Sequence, residues 1–284
     1  MPPRYEVLDV HHHVGDAFRA LGGALDPARA AEEPEDIARH ELESRLEIMD
    51  RGGVAQAIVI PGHAYERPNG AADTRRVNDG IAAYRDALPE RFPAAIGVTE
   101  PTHGEEGLRE LERGLSELQL AGFSFHVRFQ GVSLDSQWIR RACERMGELG
   151  LVPVIHAMDE TAEEALWKLA ALARGLPDLP ILALDAFASY ESTRQCSFVA
   201  DVAPNILFDT SLSYNFDAIE DFTHRFGAER VLFGTDLYSY PVGRRISHLL
   251  PQIFESSLGE DDIRCIVGDN ARRLFSLPVS EPQP

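Results

Sequence analysis

Three consecutive histidines, His11, His12 and His13, end an apolar run that starts near Tyr5 and reads Leu8-Asp9-Val10-His11-His12-His13-Val14-Gly15. Side chains alternate between the faces of a strand, so His11 and His13 are expected to point together and His12 away from them. Two neutral imidazoles on one face make half of a metal site. An affinity tag is the plain alternative, but a tag seldom sits inside a strand pattern. The other ligands must come from distant parts of the chain, so the fold has to bring many segments to one point.

The pattern of elements suits that task. Short β-branched runs are expected to form strands over 5–10, 56–60, 94–98, 122–129, 152–155, 181–184, 206–208 and 231–233. Amphipathic stretches such as 36–51, 105–120, 136–149 and 161–174 lie between them, several preceded by Asp, Ser or Thr. Strand and helix alternating eight times in under 300 residues is the layout of an α/β fold of the (β/α)8 TIM-barrel type, with 1–284 as a single domain. A doubly wound open sheet is the runner-up, but no GxGxxG turn follows an early strand. The Ala-, Gly- and Pro-rich stretch 16–34 reads as a long loop over the exit of the first strand.

In a barrel the chemistry sits where strands end at their carboxyl side. The eight expected strands run into His11 and His13, His63, Glu100, His126 with Arg128 on the same face, His156, Asp185, Asp209 and Asp236. Any one of these can be an ordinary capping or loop residue, His63 and Asp209 above all. Their coincidence at eight strand ends points to a metal-dependent enzyme. The donors are imidazole and carboxylate without thiolate, a set that suits iron or manganese as readily as zinc.

Composition narrows the partners. A chain of 284 residues with 44% hydrophobic content can bury a large core. A net charge of -19 argues against nucleic-acid or anionic membrane surfaces. No apolar stretch approaches membrane-spanning length and no leader pattern is present, so the expectation is a cytoplasmic protein. Cys143, Cys196 and Cys265 lack metal or redox spacing and read as core residues. Of 27 basic residues only Lys168 is a lysine.

Four segments carry a resemblance to a known family: Asp9-Val10-His11-His12-His13, Val152-Pro153-Val154-Ile155-His156, Leu232-Phe233-Gly234-Thr235-Asp236 and Gly268-Asp269-Asn270-Ala271-Arg272-Arg273-Leu274-Phe275. In type, order and spacing they resemble the metal-dependent amidohydrolase superfamily, in particular its branch related to aminocarboxymuconate semialdehyde decarboxylase. The resemblance implies metal ligation by His11, His13, His156 and Asp236, with Asp236 also handling a proton, and a structural role for the last motif. Asp185 stands where the family usually carries histidine. Lys168 lies well beyond the fifth strand, which excludes a carboxylated-lysine bridge between two metals.

With Asp185 as a ligand and Glu100, His126 and His63 as surplus donors, this arginine-rich chain is also similar to the TIM-barrel nonheme diiron monooxygenases of the platensimycin and platencin diterpenoid hydroxylase type. That similarity implies two iron ions, dioxygen, an electron donor and a hydrophobic, CoA-linked small-molecule substrate of antibiotic biosynthesis. His126, Asp185 and Asp236 would then be catalytic, and a homo-oligomer is allowed. The alternative is a hydrolase or decarboxylase with one zinc or manganese. A barrel that has lost its metal is a third reading, supported by Asp185 alone. Arg128, Arg244 and Arg245 are the candidate anion-binding groups, although Arg244 and Arg245 can equally be solvated helix charges. Tyr65, Phe129, Tyr190, Tyr214, Tyr238 and Tyr240 are candidate walls of an apolar pocket.

Overall fold

The computed structural model describes residues 5–15, 34–62, 65, 69–158, 161–238 and 247–278. Within them run β1 Leu8–Val14, α1 Pro34–Gly52, β2 Gln56–Pro61, α2 Ala71–Ala87, β3 Ile96–Val98, α3 Glu105–Ser116, β4 Gly122–Phe125, α4 Gln137–Leu149, β5 Val152–His156, α5 Leu166–Arg174, β6 Ile181–Leu184, α6 Tyr190–Val202, β7 Ile206–Asp209, α7 Asp217–Phe226, β8 Val231–Leu232 and β9 Leu237–Tyr238. After β9 come α8 Leu249–Glu255, α9 Glu260–Arg264 and α10 Asn270–Leu274.

Parallel pairing runs unbroken from β3 to β8, and β2, β1 and β9 form a second parallel ladder. Two seams join the ladders. Val59 bridges Ala95 between β2 and the approach to β3, and the Val10 N–H donates to the Phe233 carbonyl at 3.0 Å beyond β8. The result is the closed (β/α)8 TIM barrel expected from the sequence.

Alternation along the strands builds two separate cores. Leu8, Val10, Ile58, Ile60, Val152, Val154, Leu182, Leu184 and Leu232 fill the barrel interior. The intervening Ala57, Val59, Phe123, Phe125, Ile155, Ile181, Ala183 and Phe208 pack outward beneath the helices. No helix among the described residues is long and apolar enough to cross a membrane.

β1 departs from plain alternation. It pairs Asp9 with Ala57 but His12 with Val59, so one extra residue is inserted between them as a bulge. The bulge shifts the side-chain phase by one. Val10 belongs to the inner core, yet His11 and His13 also face the barrel mouth while His12 turns outward to α1.

The fourth strand is shorter than its apolar composition suggests. β4 stops at Phe125, and Val127–Gln130 forms one helical turn closed by Gly131 in the left-handed conformation. The expected strand over 122–129, with His126 and Arg128 on one strand face, is therefore corrected. The Gln130 side chain accepts from the His126 N–H at 3.0 Å, and that side-chain bond takes the place of a ladder bond.

The motif at 268–275 ties the end of the chain to the barrel, as its resemblance implied. Asn270 Nδ2 donates to the carbonyls of Ala228 and Val231, both at 2.7 Å, and Arg272 donates to Gln56 Oε1 at 2.8 Å. The wide π turn Cys265–Asp269 before it supplies the Ile266 carbonyl to the Phe233 N–H at 2.8 Å.

Candidate metal centre

Three imidazoles converge at the carboxyl ends of β1 and β5. His11 Nε2 lies 2.9 Å from His13 Nε2, and His156 Nε2 lies 3.5 Å from His13 Nε2. Asp236 Oδ1 completes the cluster at 3.3 Å from both His11 Nε2 and His13 Nε2.

Each ring is turned by a bond on its other nitrogen. His11 Nδ1 donates to Asp209 Oδ2 at 2.8 Å, His13 Nδ1 to the Pro61 carbonyl at 3.3 Å, and His156 Nδ1 to the Phe125 carbonyl at 3.1 Å. Carbonyls and carboxylates only accept, so Nδ1 carries the proton in all three rings. The lone pairs on Nε2 are thereby aimed at one another, an arrangement that stabilises a cation and little else.

Asp236 is positioned by a break in the wall between β8 and β9. Its φ is +55°, a left-handed conformation that Asp tolerates better than most residues. The break is pinned by Asp9, which accepts from the Thr235 N–H at 3.1 Å and from its hydroxyl at 2.6 Å. Asp236 Oδ1 is buried and accepts no hydrogen bond among the described residues. An orphaned carboxylate oxygen facing three imidazole lone pairs fits a bound divalent cation, and the residues therefore suit a metal.

Local electrostatics agree with that reading. Burial alone lowers the His11 pKa, but Asp185, Asp236 and Asp209 outweigh it and raise the value to about 10. Burial, followed by the charge of Asp185, pushes the Asp236 carboxyl well above the usual carboxylate range. His156 moves the opposite way, well below the ordinary imidazole value, through burial and the neighbouring His126, His11 and His13. Excess negative charge thus gathers on the His11 side of the cluster, where without a metal a second proton sits on the His11 ring and a bound cation would displace it.

Asp185 is close by but engaged differently. Its φ of +62° turns its carboxylate back to the mouth, where simple alternation after inward-facing Leu184 would send it outward. Its Oδ1 accepts from the Ser211 hydroxyl at 2.6 Å and lies 3.8 Å from His11 Nδ1. Burial pushes its carboxyl up against the pull of His11. His11, Asp185 and Asp236 do form a second group with one donor atom each within 4.8 Å, but it shares His11 and Asp236 with the first surroundings.

Among the described residues, the surplus donors Glu100 and His126 join no group of converging donors. Glu100 Oε2 lies 3.2 Å from Gln130 Nε2, and Glu100 joins neither cluster of converging donors. His126 stacks on the His156 ring with centroids 4.2 Å apart and planes 6° apart, and its Nδ1 binds Glu164 Oε1 at 2.5 Å. His63, Arg244, Arg245 and Tyr240 lie outside the described residues.

Of the expected aromatic walls, Tyr238 stacks on the His13 ring at 4.4 Å and Phe129 meets His126 edge-on at 4.5 Å. Tyr65 is buried and its hydroxyl pairs with Ser124 Oγ at 2.9 Å. Tyr190 and Tyr214 are exposed, 71% and 84%, and are not walls.

Two residues of the site had no assigned role in the sequence. Asp209 was visible only as a strand end that could equally be a cap. Glu164 gave no signal, because it lies in the loop before α5 and reaches His126 from 38 positions away.

Residues 8–277 match the model of a protein family described as Amidohydrolase. No curated protein sequence matches the chain. Among solved structures, the chain is similar to 2,6-dihydroxybenzoate decarboxylase complexed with 2,6-dihydroxybenzoate, at 18% identity and a TM-score of 0.69 over 96% of this chain and 100% of that one. It is similar to 5-carboxyvanillate decarboxylase from Novosphingobium aromaticivorans with bound manganese, at 18% identity and a TM-score of 0.71 over 96% and 97% of the two chains. It also resembles a dihydroxybenzoic acid decarboxylase from Polaromonas with bound manganese and 2-nitroresorcinol, at 19% identity and a TM-score of 0.67 over 96% and 97%.

These findings correct the monooxygenase expectation. The family match and the decarboxylases sharing the fold favour the hydrolase or decarboxylase alternative over a diiron hydroxylase of antibiotic biosynthesis. Among the described residues, both groups of converging donors include His11, and neither includes Glu100 or His126. The paired irons, dioxygen, electron donor and CoA-linked substrate lose their support with it.

Proposed function

The chain belongs to the amidohydrolase family, and on that premise we propose that it is a metal-dependent decarboxylase of an aromatic carboxylic acid. The observation that carries the reading is the convergence of His11, His13 and His156 Nε2 with the orphaned Oδ1 of Asp236 at the barrel mouth. His11, His13, His156 and Asp236 would hold one divalent ion, manganese or zinc. That ion supplies a Lewis acid that orients the oxygens of the substrate.

The surroundings favour a planar ring. Tyr238 lies parallel to His13 at an interplanar angle of 23°, and Phe129 and Tyr65 flank His126 from two sides. Flat aromatic faces of this kind stack a small aromatic acid with little conformational cost. Manganese-bound decarboxylases of the same fold act in their own names on dihydroxybenzoate and carboxyvanillate, which supports an aromatic acid as the small-molecule substrate.

Loss of carbon dioxide breaks a carbon–carbon bond and leaves the electron pair on the ring carbon, which must receive a proton. Asp185 and Asp236 are the nearest buried carboxyls, and burial pushes both toward the protonated form. Asp185, which Ser211 and the Asp209 carboxylate hold in place, is the better placed to deliver it, because its role does not compete with holding the metal.

The test is turnover by manganese- or zinc-loaded protein against a panel of hydroxybenzoates under anaerobic conditions. Release of bicarbonate or carbon dioxide that disappears on chelation is the expected result. Water addition to an amide or ester in the same assay format, with no loss of carbon dioxide from any acid, would instead assign a hydrolase.

A further inference from the structure

Glu164 is completely buried just ahead of α5, where a carboxylate is kept only if it is paired. Both of its oxygens serve the barrel mouth. Oε1 accepts from His126 Nδ1 at 2.5 Å and lies 3.3 Å from the Arg128 backbone N–H. Oε2 lies 3.6 Å from Arg128 Nε and accepts no hydrogen bond among the described residues. One carboxylate thus holds the ring of His126 and the backbone of the turn Val127–Gln130, and its charge faces the guanidinium of Arg128.

These partners form a layered edge from solvent to the metal centre. The Arg128 guanidinium lies over the Phe129 ring at 5.0 Å, Phe129 meets His126 edge-on, and His126 stacks on His156. Arg128 keeps 24% of its side chain exposed, so a ligand entering the mouth can reach it. Met158 Sδ, a weak acceptor, is a neighbour at 3.8 Å on Nη2.

We propose that Glu164 is a positioning residue that fixes Arg128 and His126 as one recognition edge, on which Arg128 receives the carboxylate of the aromatic acid. A guanidinium whose Nε edge faces a buried carboxylate at 3.6 Å turns its two terminal nitrogens the other way, the geometry that suits bidentate pairing with a second carboxylate. The ring of the ligand then lies along the aromatic layer formed by Phe129 and His126. The choice of an aromatic carboxylate as ligand rests on the reaction proposed above.

The test measures binding rather than turnover. Calorimetric titration of manganese-loaded protein with 2,6-dihydroxybenzoate and with resorcinol, its counterpart without the carboxylate, isolates the contribution of the anionic group. The wild type is expected to prefer the carboxylate by at least about tenfold, the scale of one charge-assisted contact. Arg128→Met should erase that preference while leaving resorcinol affinity within about twofold, and Arg128→Lys should restore part of it. Glu164→Gln should reduce the preference about tenfold with manganese content unchanged.

A wild type without the preference, or an Arg128→Met protein that keeps it, overturns the recognition edge. An unchanged preference in Glu164→Gln overturns the positioning role. Should Glu164→Gln fail to fold, the part-exposed Arg128 variants still decide the assignment of the carboxylate. Carboxylate preference without any decarboxylation would sink the proposed reaction and leave this edge standing, whereas turnover without preference would do the reverse.

Discussion

Asp209 Oδ2 accepts from His11 Nδ1 at 2.8 Å, and the other oxygen of the same carboxylate accepts from the Asp185 backbone N–H at 2.9 Å and lies 2.7 Å from Ser211 Oγ. One buried side chain at the end of β7 therefore orients a candidate ligand and the residue proposed to deliver the proton. Removing its charge while keeping its shape should loosen both. Asp209→Asn is expected to weaken metal binding by about 10- to 100-fold, read by competition with a chelating dye. Unchanged metal affinity would reduce Asp209 to a packing residue.

Gly234 leaves room for that carboxylate. A Cβ placed there would sit 2.5 Å from Asp209 Oδ2 and 3.1 Å from its Cγ, closer than real side chains approach. Gly234→Ala should therefore lower metal affinity through Asp209. The double variant with Asp209→Asn should be little worse than either single one, since both act on the same contact. Additive losses in the cycle would show that Gly234 matters for another reason.

His12 separates structure from chemistry in the histidine run. Its Nε2 donates to Asp9 Oδ2 at 2.7 Å, and its Nδ1 lies 3.1 Å from Arg45 Nη1 on the helix side of β1. His12→Ala removes a buried partner from two charged groups and should cost about 3–5 kcal/mol in denaturant unfolding while the folded fraction still binds metal. His11→Ala and His13→Ala should lose metal instead. Equal metal loss at all three positions would contradict the facing assigned to β1.

How far the site was legible follows from where each residue sits. His11, His13, His156 and Asp236 stand at the ends of apolar strands, so hydrophobic patterning placed them at the barrel mouth with the other strand-end residues, and the family resemblance singled them out. The bulge in β1 was hidden because the register of a strand depends on its partner, which a single segment does not specify. β4 was overextended because Val127 and Phe129 are strand-forming residues that the Gln130 side chain and Glu164 draw into a helical turn. β9 is two residues long and is held by pairing with His12 and His13, leaving no periodic signature. Glu164 was invisible for the same kind of reason, since its meaning lies in contacts made across the fold.

The cysteines give a check on packing away from the mouth. Burial pushes the Cys143 thiol up to about 12, with a smaller push from Glu144, and Cys196 is also buried. Native protein at pH 8 should react with a thiol reagent no faster at Cys143 than its unfolding allows, and Cys265 should lead. The unfolded thiol ionises near pH 9 and the buried one does not, so the native state holds the extra proton between pH 9 and about 12. Stability should fall as pH rises across that window, and Cys143→Ala should flatten the fall in pH-dependent denaturation. Fast labelling of Cys143 in folded protein would contradict its placement on the buried face of α4.

Asp185 allows the proton step to be separated from metal binding. Its Oδ1 is held by Ser211 at 2.6 Å, and its contact with His11 is at Nδ1, the nitrogen turned away from the converging Nε2 atoms. Asp185→Asn keeps the volume and can still accept from Ser211, but it cannot give up a carboxyl proton. Metal content should remain within about twofold of wild type while kcat falls by about 10²–10⁴, the range for loss of a positioned acid. Turnover in heavy water should place one deuterium on the ring carbon that lost its carboxylate, and the variant should slow that transfer more than it weakens substrate binding. Loss of metal in parallel with activity would make Asp185 a ligand, as the sequence first suggested, and would leave Asp236 as the carboxyl that supplies the proton.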